Sequence, residues 1–459
     1  MGENGAGAGA PFFCTLMLRL TLLALALCPG SSFAQSPRIR VYFNQDTDPA
    51  VSSGTLAISL HEAMDDTIEA YIDHARSTID VAVYNADDYS IIAALNQAED
   101  RGVQVRYIAE GTNSNTALAN LSPTIPVLYR TDGEGSGMHN KFMSIDADLA
   151  DSAWTWTGST NWTQNGLFED YNNMVFIQDQ ALALAYRAEF EEMWGGNGPL
   201  PDVPNSRFGQ DKTNNTQHSF TVDGVVIECY FSPSDGTTSH IVDAIDGAEH
   251  NVRSCMFSFT NEDIGSALLE ADQRPGVTVQ MDLEDAIYPG TEGWYLASNG
   301  VDVATHNTDD VQLHHKYGIV DEGSSDGPLV ITGSHNWTWY AETINDENIV
   351  IIHDATVADH FYQEWHARRN GVTGVVAQAE PSSLVTWPQP ASDLMYVRLP
   401  EALSGAPVTM LDMSGREMPI TVTNGMIRSI DVAQFPEGLY TLVCGTGPKR
   451  ITRTVSVSH

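Results

Sequence analysis

The feature that most limits what this chain can become is a set of eight identities repeated in one fixed register. His139, Lys141, Asp146, Gly158, Ser159, Asn161, Trp162 and Thr163 recur as His314, Lys316, Asp321, Gly333, Ser334, Asn336, Trp337 and Thr338, each displaced by 175 residues. A constant offset of this kind marks a duplicated structural unit. The flanks repeat as well. TIDVAVYNA (78–86) reads as a buried strand, SIIAALNQAEDRG (90–102) as an amphipathic helix closing on glycine, and VQVRYIAE (103–110) as a second strand. VRSCMFSFT (252–260), IGSALLEADQRPG (264–276) and VTVQMDLED (277–285) follow in the same order. Strands alternating with helices predict βαβ connections and a largely parallel sheet covered on both faces. Each unit is therefore expected to be an α/β layer structure, and two such units can pair about a pseudo-twofold axis.

The boundaries follow from composition. The units are expected at 38–205 and 227–372, joined by a polar linker at 206–226 that contains GQDKTNNTQHS. Past 384 the pattern changes to short strand-like runs, PVTMLDM, MIRSIDV and LYTLVC, broken by Gly, Pro and Asn, which predicts a small β-sandwich over 385–459. At the other end Arg19 precedes the apolar run LTLLALAL (20–27) and the small residues end at Ser32-Phe33-Ala34, so residues 1–34 read as an export signal cleaved after Ala34. No later segment offers the ~18 apolar residues of a membrane span. The cysteines left after that cleavage, Cys229, Cys255 and Cys444, form no metal-ligand spacing and no disulfide framework, leaving only a Cys229–Cys255 bridge open. With 60 Asp+Glu against 22 Lys+Arg, the formal charge of −38 disfavours extended binding of a polyanion on a basic face. A local cationic pocket is still compatible with it.

That pocket is what the repeat encodes. Residues two apart on a strand share a face, so His139 projects with Lys141 and His314 with Lys316, while Leu313, His315, Tyr317 and Ile319 take the other face. The odd step from His314 to Asp321 turns the acid away, and Asp146 and Asp321 are expected to hold strand ends. Glycine in GSTN (158–161) and GSHN (333–336) allows close backbone approach. Ser159, Asn161, Ser334 and Asn336 are expected to donate to a phosphate. Two histidines, two lysines and two asparagines converging across a dyad suit one phosphodiester: the cations stabilise the oxyanion, one imidazole attacks phosphorus and the other protonates the leaving alkoxide. No cofactor or metal is called for. Imidazoles used in this way need a partner on the remote nitrogen. Within one unit the candidates are Glu347 for His314 and its register equivalent Asn172 for His139. Trp162 and Trp337 are expected to pack beneath the site, and His353, His360 and His366 have no repeated partner.

HNKFMSID with GSTN, and HHKYGIVD with GSHN, resemble the paired signature of the phospholipase D superfamily over roughly residues 38–370. The resemblance implies an α/β/α sandwich in each half, a phosphohistidine intermediate and metal-independent cleavage, with the N-terminal His139 as nucleophile. Both copies place more residues between the acid and GSxN than is usual there, which predicts a longer hairpin and puts substrate access in question. The compact units look like the bacterial nuclease and mitochondrial cardiolipin hydrolase branch. A phospholipid substrate is preferred on the acidic surface, nucleic acid is the alternative, and a monomer is expected. WPQPASDLMYV (387–397), VTMLDMSGREM (408–418) and FPEGLYTLVC (435–444) are similar to the C-terminal sorting domain of type IX secretion, which makes that machinery a partner and implies export through the periplasm to the cell surface or beyond.

Overall fold

In the computed structural model the described residues are 36–133, 135–284, 287–306, 311–325, 327–371 and 374–375, then 384–387, 394–399, 403, 405–412, 416–422, 427–436, 438–445 and 450–457. The expected export signal and residues 388–393 of the sorting-domain opening lie outside them.

The first unit is built on β1 (Ile39–Phe43), β2 (Ile58–Ser59), β3 (Thr78–Val83), β4 (Gln104–Glu110), β5 (Val127–Arg130), β6 (Lys141–Ile145), β7 (Trp154–Gly158) and β8 (Asn173–Ile177), in the spatial order β2-β1-β8-β7-β6-β3-β4-β5. Its helices are α1 (Met64–Asp73), α2 (Tyr89–Asp100) and α3 (Gln180–Trp194). The second repeats the plan with β9 (Ser219–Val222), β10 (Val225–Ser232), β11 (Asn251–Met256), β12 (Thr278–Leu283), β13 (Asp302–Thr305), β14 (Lys316–Val320), β15 (Leu329–Gly333), β16 (Glu347–His353) and β17 (Gly374–Val375), in the order β17-β13-β12-β11-β14-β15-β16-β10-β9. Its helices are α4 (Thr237–Asp246), α5 (Glu262–Gln273), α6 (Glu292–Ser298), α7 (Trp339–Thr343) and α8 (Ala355–Gly371).

The sheets are mixed, which corrects the expectation of a largely parallel one. The βαβ crossovers β3-α2-β4 and β11-α5-β12 give parallel neighbours, but β3 meets β6, and β11 meets β14, antiparallel. Past the crossovers the strands are joined by hairpins, β6 to β7 and β14 to β15, and a hairpin can only pair antiparallel.

Alternation along the strands sorts the side chains into layers. Ile79, Val81, Met143 and Trp156 pack under α1 and α2, and Val252, Val279, Val320 and Ile331 pack under α4 to α6. The opposite faces, with Phe142 and Val175 from one sheet and Tyr317, Ile319 and Val330 from the other, join Tyr186 and Phe190 of α3 and Phe361 and Trp365 of α8 in a single core shared by both units. Burial of that shared face makes the pair one body. Polar bonds run through it at the dyad: Thr157 donates to Asn348 at 2.6 Å, and Asn173 donates to Thr332 at 2.8 Å. Each such bond contributes about 1 kcal/mol while made and costs more if one partner is lost.

The segment read as a linker is docked. Gly209–Asp211 forms a short 3₁₀ turn, Lys212 is buried, and Ser219–Val222 is β9, paired with β10. Past the units, strands Val385–Trp387, Leu394–Arg398 and Ile427–Asp431 make one antiparallel sheet, and Val408–Asp412, Glu417–Met418, Gly438–Cys444 and Ile451–Val457 make another. Their facing residues, Met395, Val397, Ile430, Met410, Leu442 and Val455, close a core of their own. Cys229, Cys255 and Cys444 are buried and free, so the bridge left open by the sequence is not formed.

Candidate active site

Both HxK motifs lie at the point where a strand begins. His139 and His314 precede β6 and β14, and Lys141 and Lys316 are their first residues. Each strand is only five residues long, and its far end is fixed by an acid in a left-handed turn, Asp146 at φ +50° and Asp321 at φ +56°. The Asp146 carboxylate accepts the amides of Arg76, Ser77 and Thr78, and Asp321 accepts those of Glu249, His250 and Asn251. Each acid therefore clamps the start of the neighbouring strand, roughly 15 Å from the lysine at about 3.3 Å per residue. The lengthened hairpins leave from these same far ends, so they do not bear on access to the histidines.

The motif residues converge where the two units meet. His139 is 6% and His314 8% exposed, whereas both lysines are buried more deeply. Lys141 Nζ donates to the His139 carbonyl at 2.9 Å and sits 3.3 Å from that ring's Nε2; Lys316 Nζ donates to the His314 carbonyl at 2.7 Å. Two aromatic walls that the sequence reading missed flank them. The Tyr84 ring lies edge-on to His139 at 4.5 Å and under Lys141 at 5.1 Å. The Phe257 ring lies 4.8 Å from His314 and under Lys316 at 4.9 Å. Facing an aromatic ring offsets part of a buried ammonium's lost hydration, by about 0.5–2 kcal/mol.

The partners of the histidines are crossed, which corrects the within-unit assignment. His139 Nδ1 meets Glu347 Oε2 of the second unit at 2.7 Å, and His314 Nδ1 meets Asn172 Oδ1 of the first at 2.9 Å. The cause is backbone pairing across the dyad. Asp346 N–H donates to the Gly137 carbonyl at 2.9 Å and Ser136 N–H to Asn345 Oδ1 at 2.9 Å. In the other half Tyr171 N–H donates to the Gln312 carbonyl at 2.8 Å and Gln312 N–H to Asp170 Oδ1 at 3.1 Å. The stretch before β16 is thus threaded beside the approach to His139, and the stretch before β8 beside the approach to His314.

The serines of the GSxN segments also differ from expectation. Ser159 and Ser334 are fully buried; Ser159 donates to Asn172 Oδ1 at 2.8 Å, and Ser334 accepts the Asn348 amide at 3.1 Å. They brace neighbouring asparagines, because the backbone turns each hydroxyl into the core. Asn161 and Asn336 are half-buried, each with a buried Oδ1 that no hydrogen bond satisfies. Trp162 and Trp337 are buried in the outer cores. Of the other histidines, His353 meets Glu228, His366 meets Asp48 and His360 meets Thr55.

Two further acids went unread. Glu110 Oε2 accepts the Met138 amide at 2.8 Å and Glu284 Oε2 accepts the Leu313 amide at 2.6 Å, each fixing the residue before a motif histidine. The signal was present, since both acids close the strand that follows the helix in VQVRYIAE and VTVQMDLED.

Burial sets the protonation. It pulls the His139 ring down to about 4, with Glu347 resisting and Lys141 assisting, and pushes His314 well below the usual imidazole value, with Lys316, Lys141 and His139 adding to the effect. Burial also brings Lys141 to about 7 and Lys316 well below its ordinary range. For Glu347 burial would raise the carboxyl, but His139, His335 and Lys141 together hold it below its usual value. Near neutrality the site therefore holds a neutral His139 against a carboxylate. With Nδ1–H pointed at Glu347, the ring's Nε2 lone pair faces Lys141 Nζ, 3.3 Å away.

Residues 68–194 and 241–368 match the family described as cardiolipin synthase, PLD-like domain, and residues 385–458 match the secretion system C-terminal sorting domain, which implies secretion or the cell surface. The chain is similar to mitochondrial cardiolipin hydrolase of Chlamydomonas reinhardtii (30% identical, over 30% of this chain and 59% of that one) and of Xenopus laevis (32%, over 30% and 63%). It thus spans about three fifths of the length of these relatives. It is also similar to a phospholipase D of Rickettsia bellii (32%, over 31% and 69%). Among solved structures, the phospholipase D family member Nuc of Salmonella typhimurium is 32% identical over 32% of this chain and 96% of its own, with a TM-score of 0.28. Among the described residues no helix is long and apolar enough to cross a membrane.

Proposed function

The chain belongs to the phospholipase D-like family, and from that premise we propose that it is an exported phosphodiesterase that hydrolyses phospholipid through a covalent phosphohistidine. The observation that carries the mechanism is the crossed pair of histidine partners. Glu347 accepts the Nδ1–H of His139, which orients Nε2 toward phosphorus and stabilises the ring cation that forms as the N–P bond is made. As that bond forms, the P–O bond to the head group breaks and His314 Nε2 hands its proton to the leaving oxygen. Water then gives a proton back to His314 and its oxygen to phosphorus, the N–P bond breaks, and phosphatidate leaves.

His314 is suited to the acid role. Asn172 holds its Nδ1–H without supplying a charge, and the amide is itself fixed by Ser159 and by donation to the Gly166 carbonyl at 2.9 Å. The ring stays a comparatively strong acid. The phosphodiester brings the negative charge that lets the ring bind a proton despite its burial. Lys141, Lys316, Asn161 and Asn336 would meet the non-bridging oxygens.

The preference for lipid rests on charge. The formal charge of −38 is carried in part by a groove of about 930 Å³ between α4, α5 and α7, which includes Asp243, Asp246, Glu262, Asp263, Glu270 and Glu342 but no motif residue. Acids on this scale disfavour the approach of a polynucleotide. A zwitterionic lipid brings one phosphate with a cation close behind it.

Two measurements test the reading. Purified residues 35–383 are assayed in parallel on phosphatidylcholine, cardiolipin, and single-stranded and duplex DNA, and faster release of nucleotides than of head groups overturns the substrate choice. With a labelled substrate bearing a good leaving group, His314→Ala should accumulate protein-bound label and His139→Ala should not. The reverse exchanges the two roles.

A further inference from the structure

Asp346, the residue next to Glu347, is held by charges that the duplicated plan does not require. Its Oδ2 meets Arg130 Nη1 of β5 at 2.8 Å. Its Oδ1 accepts the Gly209 amide at 2.8 Å and lies 3.2 Å from Lys212 Nζ. Both Gly209 and Lys212 come from the connector between the units. Lys212 is wholly enclosed: its ammonium also contacts Glu189 Oε1 of α3 at 2.5 Å and the Ser232 carbonyl at 2.7 Å, so its three donors meet three acceptors. The approach is tight. Gly209 sits at φ +55°, and a Cβ there would come within 3.1 Å of Arg130 Nη2 and of the Ile344 carbonyl.

The other half lacks the device. The register equivalent of Asp346 is Tyr171, which makes the same backbone bond to Gln312 but presents a ring to the Arg368 guanidinium at 3.9 Å and to His306 at 5.0 Å. The duplicated backbone pairing therefore forms there without a connector lysine, with Asp170 accepting the Gln312 amide and Arg368, paired with Glu364, covering the Tyr171 ring. Among the described residues, the clamp of a carboxylate by the connector stands on the side that carries Glu347 and His139.

We propose that Lys212 is a positioning residue for His139: by clamping Asp346 between the connector and β5, it fixes the start of β16 and so the carboxylate that orients the ring. The connector is on this account part of the catalytic apparatus. The charged groups that bear on the clamp are Arg130 of β5 with its second partner Asp132, Glu189 of α3 with Asp235 near it, and Lys212 itself. Around Glu347 stand His139, Lys141 and His335.

The proposal rests on His139 being the attacking ring, but its first test does not need activity. The test is an NMR titration of the His139 ring in the unliganded full-length protein, compared with Lys212→Met and Asp346→Asn. Glu347 holds the ring's midpoint up, so loss of the clamp should lower that midpoint in both variants, by about half a pH unit or more. Repeating Lys212→Met in a Glu347→Gln background separates this from general loosening, because the midpoint should then move no further. A Lys212→Met protein that melts earlier but titrates as the parent overturns the proposal. If that variant does not fold, an unshifted midpoint in Asp346→Asn has the same force. On a substrate that the parent cleaves, Lys212→Met should lower kcat by about tenfold or more with KM within about threefold, as expected when a reacting group is misplaced. A parent that cleaves no phosphodiester would end the functional reading and leave the titration result standing.

Discussion

Glu347→Gln changes one charge and almost no volume, so it isolates what the crossed carboxylate does. At 2.7 Å from Nδ1 the charge centres are about 4 Å apart, an interaction of about 4 kcal/mol at an effective dielectric of 20. Glutamine can still accept the Nδ1–H, and the ring cation is only partly formed at the transition state, so about half, or ~2 kcal/mol, should be lost from the barrier to phosphorylation. That is a fall of roughly thirtyfold. The assay is rapid quench with a labelled substrate carrying a good leaving group, which reads the rate of protein labelling apart from its hydrolysis. Labelling within threefold of the parent would refute the electrostatic role of Glu347. Fast labelling followed by slow decay would place its action in the second step.

The remaining predictions concern pH, folding, export and metals. Because His139 must be neutral while His314 and Lys141 must be protonated, kcat/KM measured on the free enzyme should rise as pH increases through about 4 and then fall, first as His314 loses its proton below the usual imidazole value and further as Lys141 does at about 7, so the optimum lies on the acid side of neutrality. Binding of an inert phosphate analogue near pH 7 should take up protons, since the added anion favours the protonated lysines and imidazoles; calorimetry in two buffers of different ionisation enthalpy reads this. Asp146→Ala strands three strand-edge amides and leaves alanine at φ +50°, which should cost about 2–4 kcal/mol in thermal or urea unfolding while kcat of the folded fraction stays near the parent value. Deleting residues 385–459 should leave the periplasmic enzyme active and abolish its release, because the core of that region is its own. A chelator should leave turnover unchanged, the oxyanion being met by Lys141 and Lys316.

The repeat carried most of the fold and the four central side chains, because identical residues in one register must occupy equivalent places in two copies of one unit. What it could not carry was which copy serves which. Glu347 and Asn172 were paired with His314 and His139 by distance along the chain, whereas the structure pairs them by contact across the dyad. The hydroxyls of Ser159 and Ser334 pointed to phosphate by analogy with donors at a turn; the direction in which a buried hydroxyl is turned depends on neighbours such as Asn172 and Asn348 that periodicity does not reveal. Lys212 lay in a polar stretch that composition marks as solvent-facing, and only its three buried acceptors explain it. The mixed sheet was hidden for a plainer reason: β6 and β7 are five residues each and buried almost throughout, and side-chain alternation is the same whichever way a strand runs.

The crossing of the histidine partners also constrains how such a chain can change over time. Each half holds the residue that tunes the other half's imidazole, so neither can drift alone without altering chemistry it does not itself contain. Among descendants of this sequence, substitutions at 347 should be accompanied by changes around 139, and those at 172 by changes around 314. Correlated change would then link the first half of the gene to the second, more strongly than either half to itself. The same arrangement would equally serve two identical chains meeting at a dyad, each lending the other the residue that its imidazole lacks.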